Sequence, residues 1–242
     1  MTNKIAYILI GLLACGLFSC QEQTEVYEEF VVPGGKTYPG QVINPVVYSG
    51  KNRAKIIADK PVDPLVTEVR VFWNFYADSV SVPVNDNDTQ VEIVMEGLPE
   101  NSYSFIIRTY DDKGNISVPM EVFGDVYGAD YEKTLVNRTL NSATLNEAGE
   151  LTLLFGEANV SNGAVGSVVS YINTEGNETL EELAIEESEL VITDYASDAK
   201  YLTQYVPDSL CIDVFSTGYT PIVDIEGPED NQEMGAVIAE DE

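Results

Sequence analysis

Among 242 residues there is no histidine, one tryptophan, three cysteines, and only 12 Lys+Arg against 41 Asp+Glu. Each shortage removes a class of function. Without an imidazole there is no Ser-His-Asp or Cys-His catalysis and no histidine metal ligand. A formal net charge of -29 opposes nucleic-acid binding, where affinity comes mostly from cations neutralising phosphates. It also opposes lying flat on an anionic membrane. The chain has no Gly-rich phosphate loop, no zinc spacing and no EF-hand pattern. Beyond the first twenty residues no long apolar stretch repeats at the helical period of about 3.6 residues. What is present is a globular composition, 44% hydrophobic and 10% aromatic, too apolar for a wholly disordered chain.

The first residues read as an address. Lys4 supplies a positive start, and an almost wholly apolar run follows over 5–18. A membrane span needs about 20 such residues, so this run has the size of a secretory signal core. Leu17-Phe18-Ser19-Cys20 closes it and resembles the lipobox of bacterial lipoproteins. The resemblance implies cleavage before Cys20 and acylation of its thiol and new amino group, with Leu17 and Ser19 as recognition residues. Several acyl chains at about 0.8 kcal/mol per buried methylene would hold the chain on a membrane. An ordinary signal peptide with an incidental Cys20 is the alternative. The acidic residues Glu22, Glu25, Glu28 and Glu29 resemble the surface-export signal of Bacteroidota lipoproteins. They imply an outer-membrane, outward-facing location, with a periplasm-facing leader as the alternative.

Cys15 leaves with the signal and Cys20 carries lipid, so Cys211 is left without a disulfide partner. It lies in a strand-like apolar run over 209–215, where a thiol serves as a small hydrophobe.

The rest of the chain has β texture. Val69, Val71, Trp73 and Phe75 alternate onto one face, as do Val91, Ile93 and Met95, and then Tyr103, Phe105 and Ile107. Asn85 to Asp88, Leu98-Pro99 and Asp111 to Asn115 supply turns between them. The second half repeats this grammar more weakly. Leu151, Leu153 and Phe155 alternate, and further strands are expected over 165–172, 189–194, 200–205 and 210–215. Over 179–190, Glu and Leu leave helix and strand both open. The halves end alike, with Thr109-Tyr110 answering Gln204-Tyr205.

The segment from Gly97 to Pro119, with Leu98, Pro99 and Tyr103 in order, resembles the corner and last hairpin of fibronectin type III domains. That resemblance makes Tyr103 the corner tyrosine, whose hydroxyl bonds back to upstream backbone. The expected fold class is all-β: two tandem fibronectin III/immunoglobulin-like sandwiches after a lipoprotein signal peptide. The expected layout is signal peptide 1–19, acidic tether 20–37, sandwiches 38–124 and 125–217, and an acidic unstructured tail 218–242. One larger sandwich is the alternative. The segments Tyr38 to Asn44, Gly50 to Ala54, Arg70 to Asn74, Ser102 to Phe105, Gly114 to Pro119 and Val126 to Gly128 together resemble a family of Bacteroidota outer-membrane lipoproteins of unknown function. Its members sit among surface systems for glycan capture, which implies a glycan or outer-membrane protein as partner.

Candidate sites are few. Phe72, Tyr76 and Tyr110 lie opposite their strands' core residues and form a possible glycan platform; covering an edge or a joint is the blander role. Tyr127 and Tyr131 are expected at the joint between the sandwiches. Asp78-Ser79-Val80 and Asp208-Ser209-Leu210 resemble short O-glycosylation sites, which would modify Ser79 and Ser209. Asp86 with Asp88, and Asp111 with Asp112, offer oxygen ligands for calcium, but turns favour Asp anyway, so no metal and no cofactor is nominated. Among 41 acids a carboxylate pair at glycosidase spacing carries no information, so no catalytic residue is named and no enzyme is expected.

The charge is uneven. Residues 139–242 contain 22 acids and one base, Lys200, whereas the basic residues cluster earlier. Lys51, Arg53 and Lys55 are therefore where an anionic partner is expected. The function expected is a non-catalytic, lipid-anchored surface spacer, scaffold or accessory subunit. A glycan-binding accessory lipoprotein of a polysaccharide uptake system is the alternative.

Overall fold

The computed structural model describes residues 35–228, and there the protein is all-β apart from single turns of helix. Strands form where apolar residues alternate. In β5 (Gln90–Glu96) Val91, Ile93 and Met95 are buried and their neighbours exposed. β1 (Ile43–Ser49), β2 (Arg53–Asp59) and β5 make one sheet, ordered β1-β2-β5. β3 (Val66–Trp73), β4 (Asp78–Pro83), β6 (Asn101–Asp111) and β7 (Met120–Val126) make a second, ordered β4-β3-β6-β7. All neighbours are antiparallel. Ile56, Ile93, Val69, Val71, Phe105 and Ile107 fill the space between the sheets. Tyr103 packs against this core, and its hydroxyl donates to the Pro99 carbonyl at 2.9 Å, as the corner resemblance implies.

The second half repeats the plan. β8 (Leu140–Leu145), β9 (Leu151–Phe155) and β12 (Glu189–Ile192) form a sheet ordered β12-β9-β8. β10 (Ala164–Asn173), β11 (Glu178–Ala184), β13 (Tyr195–Tyr205), β14 (Phe215–Ser216) and β15 (Thr220–Pro221) form the other. Its order is β11-β10-β13-β14, with β15 also pairing with β13. Leu151, Leu153, Val169, Tyr171 and Tyr201 build a separate core. Both halves thus share the two-sheet order of fibronectin III-like sandwiches.

The repeat extends to single residues. In β6 and β13 the last seven positions have the same burial pattern. Thr109 exchanges its backbone with Ser117: its N–H donates to the Ser117 hydroxyl at 2.9 Å and its carbonyl accepts the Ser117 N–H at 3.0 Å. Thr203 and Thr217 repeat this, at 2.9 and 3.0 Å. Thr109 therefore corresponds to Thr203. The likeness of Thr109-Tyr110 to Gln204-Tyr205 is one residue out of register, a slip that exchanges the two faces of a strand.

One open choice is decided, and three other expectations need correction. Residues 179–190 form the two strands β11 and β12 around a turn, because their apolar residues serve a sheet. Residues 210–215 are not a strand. A turn closed by the Cys211 N–H on the Asp208 carbonyl (3.1 Å) precedes them, and only Phe215–Ser216 pairs. Residues 218–226, assigned from their acids to the tail, pack on the second sandwich. Ile222 is buried, Ile225 packs against the core, and Glu226 bridges to Thr144. Phe75 does not share the face of Val69 and Val71, because β3 ends at Trp73 and the chain turns.

The two sandwiches meet through a locked joint. Asn52 N–H donates to the Tyr127 carbonyl (2.8 Å) and Tyr127 N–H to the Gly50 carbonyl (3.0 Å), tying the linker to the β1–β2 turn. The 208–215 loop then docks on that turn. Asp213 accepts Arg53 Nε (2.9 Å), Arg53 Nη2 (2.5 Å) and the Lys51 N–H (2.7 Å). Ser49 hydroxyl donates to Asp208 at 2.7 Å, and the Ile212 N–H to the Ser49 carbonyl at 2.8 Å. Gly50 permits this approach, since a Cβ there would lie 2.7 Å from the Asp213 carboxylate and 3.1 Å from Ile212. Behind the polar lock, Tyr127 and Tyr131 each meet the Phe215 ring edge to face and pack tilted against one another. Cys211 joins this cluster, half-buried, and burial pushes its thiol pKa up, away from reactivity.

Candidate functional site

The outward side of the β4-β3-β6-β7 sheet carries alternating cations and aromatic rings. β3 and β6 place Arg70 directly opposite Arg108. Like charges so placed repel, so their neighbours matter. The Arg70 guanidinium lies 5.3 Å from the Tyr110 ring and 6.0 Å from the Phe72 ring, and it pairs with Glu68 at 2.9 Å. The Arg108 guanidinium lies 5.8 Å from the Tyr76 ring. Its Nη1 donates to the Ser117 carbonyl at 2.9 Å, and its Nη2 approaches the Tyr76 hydroxyl at 3.4 Å. Phe72 and Tyr76 pack with centroids 5.1 Å apart. The structure therefore brings Phe72, Tyr76 and Tyr110 onto one face and threads the two arginines between them.

The turn that carries Tyr76 is strained. Asn74, Phe75 and Tyr76 have φ of 50°, 55° and 68°. Left-handed backbone costs an L-residue about 1–2 kcal/mol, and bulky side chains adopt it least. An Ala77 N–H to Asn74 carbonyl bond (3.0 Å) and an Asn74 side-chain bond to Asp78 (2.6 Å) hold the turn. The result is to project Phe75 fully into solvent, at 102% relative exposure. Beside it runs a groove of about 400 Å³ lined by Trp73, Phe75, Ser104, Ile106 and Glu121. Strain concentrated on an exposed aromatic is typical of a functional segment. Phe75→Gly is expected to leave the fold intact and raise unfolding stability by roughly 0.5–1 kcal/mol, because glycine relieves the backbone and no packing is lost. Denaturant titration checks this; a loss above about 1 kcal/mol would mean that Phe75 supports the fold.

The other candidate residues are dispersed. Ser79 is exposed on β4, across from Phe72. Ser209 is exposed in the joint loop. Cys20, Leu17 and Ser19 lie outside the described residues. Asp111 spends its carboxylate on its own turn, accepting from the Lys113 and Asn115 N–H groups and the Asn115 side chain. Those bonds, the Asn115 side chain foremost, lower its pKa. Among the described residues no group of three His, Cys, Asp or Glu is arranged around a metal.

The cations expected to face an anionic partner are already engaged. Lys51 pairs with Glu132, Arg53 with Asp213 and Glu96, and Lys55 with Glu92. Arg108 makes no ion pair among the described residues. The sequence analysis missed Arg70 and Arg108. Their signal was the alternation itself, since both share an outward parity with Phe72 and Tyr110.

A second cavity of about 480 Å³ opens near the linker, lined by Tyr131, Val136, Asn137, Arg138, Thr203 and Tyr205. The Tyr131 hydroxyl is buried there without a hydrogen-bond partner, and the groups around Arg138 serve the fold. Arg138 is buried and donates to the Gly156 and Glu187 carbonyls, and Tyr201 and Tyr205 donate to the Arg138 and Val136 carbonyls.

A family profile described as a domain of unknown function, DUF4998, matches residues 20–215. This chain belongs to the DUF4998 family. The match spans both sandwiches of the DUF4998 chain. No curated protein matches it. Among solved structures it is similar to the FN1–FN3 domains of chicken CNTN1, at 12% identity, covering 79% of this chain and 70% of that one with a TM-score of 0.38. It is also similar to a segment of two fibronectin type III domains from chicken tenascin, at 10% identity, covering 75% and 97% with a TM-score of 0.29.

Proposed function

We propose that this DUF4998 chain is a non-catalytic, lipid-anchored protein of the outer cell surface that acts as a rigid spacer and accessory subunit. The observation that carries the spacer is the joint locked through Asp213, Asp208 and the aromatic cluster. A lock of this kind fixes the direction of the second sandwich relative to the first. Attachment through Cys20 rests on the lipobox-like Leu17-Phe18-Ser19-Cys20. Lipid there places the first sandwich next to the membrane and the strongly acidic second half farther out, away from anionic headgroups.

Protease treatment of intact cells tests the location, and Cys20→Ser tests the anchor. Digestion of the wild-type chain is expected, together with loss of the Cys20→Ser chain from the membrane fraction. Full protection, while an outer-surface control is digested, would overturn the surface location. Retention of the variant in the membrane would overturn the anchor.

The aromatic and arginine face of the first sandwich favours a second reading, in which the accessory role is glycan binding. Sugar rings stack on aromatic faces, and this sheet presents the exposed Tyr76 with the half-buried Phe72 and Tyr110 beside it.

A further inference from the structure

We infer that the glycan taken by this face is acidic, with a uronate carboxylate seated on Arg108 and its sugar rings over Tyr76 and the neighbouring aromatics. The inference rests on the glycan-binding reading and specifies its chemistry. It begins with an accounting of cations. In a chain with 41 acids and 12 bases, a basic side chain commonly finds a carboxylate. Lys51, Arg53, Lys55, Arg70, Lys133 and Lys200 do so. Among the described residues Lys36, Lys60, Arg108, Lys113 and Arg138 do not, and of these it is Arg108 that lies half-buried on the outward sheet face beside Tyr76.

Arg108 is also held in place. The Ser117 carbonyl takes one Nη1 hydrogen, and the Tyr76 ring lies at 5.8 Å from the guanidinium carbon. A planar guanidinium so fixed keeps further N–H groups for a carboxylate and loses little entropy on binding it. Such charge-assisted pairs are about twice as strong as neutral hydrogen bonds. The nearby carboxylates have partners of their own. Glu68 is bound by Arg70, and Glu121 accepts the Ser104 hydroxyl.

The ring component comes from the strained turn. Tyr76 is 46% exposed and Phe75 fully exposed, each held at a left-handed backbone angle that a smaller residue would adopt more easily. Arg70 between Phe72 and Tyr110 continues the same alternation along the face. One cation between two ring surfaces matches a polymer in which each pyranose carries one carboxylate. The overall negative charge does not forbid this. At physiological ionic strength charges act over about 8 Å, and the acidic excess lies in the second half of the chain.

The test uses the full chain purified in detergent and measures binding by calorimetry to polygalacturonate and alginate. Carboxyl-reduced, neutral forms of the same polymers are measured in parallel. Binding of the acidic polymers is expected, with the reduced forms at least about ten-fold weaker, the loss equivalent to one charge-assisted contact. Arg108→Gln is expected to remove that preference, and Tyr76→Ala to weaken both forms by a similar factor. Tyr76 sits in an exposed turn, so its variant stays folded even where Arg108→Gln does not; circular dichroism verifies each. Equal binding of acidic and reduced polymers overturns the acidic specificity and leaves the glycan reading standing. A folded wild-type chain that binds neither form overturns both. Acid-selective binding unaffected by either variant also overturns the assignment to this face.

Discussion

Asp213→Ala is expected to uncouple the two sandwiches, so that a single thermal transition of the DUF4998 chain separates into two. The carboxylate accepts two hydrogen bonds from Arg53 and one from the Lys51 backbone. Its side chain is 20% exposed and that of Arg53 35%. Charge-assisted, forked pairs are strong, but solvent screens a pair this exposed, so the contribution to docking is about 1–2 kcal/mol. Alanine also leaves the Lys51 N–H without its acceptor and Arg53 with only the longer 3.6 Å contact to Glu96. Of the contacts that remain, Ser49 to Asp208 and Ile212 to Ser49 belong to the same loop and loosen with it, which leaves the Tyr127, Tyr131 and Phe215 cluster as the weaker link between the halves. Differential scanning calorimetry reads the outcome, and an unchanged single transition would show that Asp213 does not couple the halves.

Acid should imitate this variant. The Arg53 hydrogen bond lowers the Asp213 pKa below the ordinary carboxylate value, against the opposing effect of burial. A carboxyl depressed on folding stabilises the native joint fully above its unfolded pKa of about 3.9. That contribution is lost as pH falls through the lower folded value. The joint is therefore expected to hold from neutral pH down to about pH 4 and to loosen only below it.

Arg138→Met is expected to destabilise the second sandwich by about 2–4 kcal/mol and leave the first unchanged. Arg138 is 6% exposed and among the described residues has no carboxylate partner; it spans the Gly156 carbonyl at 2.6 Å and the Glu187 carbonyl at 2.8 Å. It also lies 5.7 Å from the Phe155 ring. Methionine restores most of the packing but no donor, so two carbonyls near the core lose their partner, at about 1–3 kcal/mol each. Burial lowers the Arg138 pKa, the sign expected of a cation bound by dipoles instead of a counter-charge. Chemical denaturation in the Asp213→Ala background, where the two transitions separate, reads the result: the transition of the second sandwich should shift, and that of the first should not.

Much of the fold is written in local alternation. Val91, Ile93 and Met95, or Phe105 and Ile107, can face only one core once they are strands, and the sequence shows that parity directly. Tyr103 is legible for the same reason, because its partner Pro99 is four residues away. The run 220–225, with Ile222 and Ile225 turned inward, was readable as a strand-like segment, but its acids drew it into the tail. The joint was not legible. Arg53 and Asp213 are 160 residues apart, and a count of charges does not say which pairs form. Charge density therefore pointed to Lys51, Arg53 and Lys55 as free cations when they are the paired ones. At the candidate site Phe72 and Tyr110 followed from parity, whereas Tyr76 reaches the face through the turn after β3. The left-handed turn at 74–76 was not legible, because nothing in Asn-Phe-Tyr favours positive φ beyond the asparagine.

The spacer is tested most directly by the distance between its halves. Spin labels at Thr89→Cys and Glu181→Cys, with Cys15, Cys20 and Cys211 each changed to Ser so that no third thiol reacts, place one probe on an exposed site of each sandwich. Pulsed electron resonance at neutral pH should give a single narrow distance distribution that broadens when Asp213→Ala is added. A broad distribution in the chain with Asp213 intact would contradict a rigid joint, and with it the proposal that this protein holds its two sandwiches at a fixed angle.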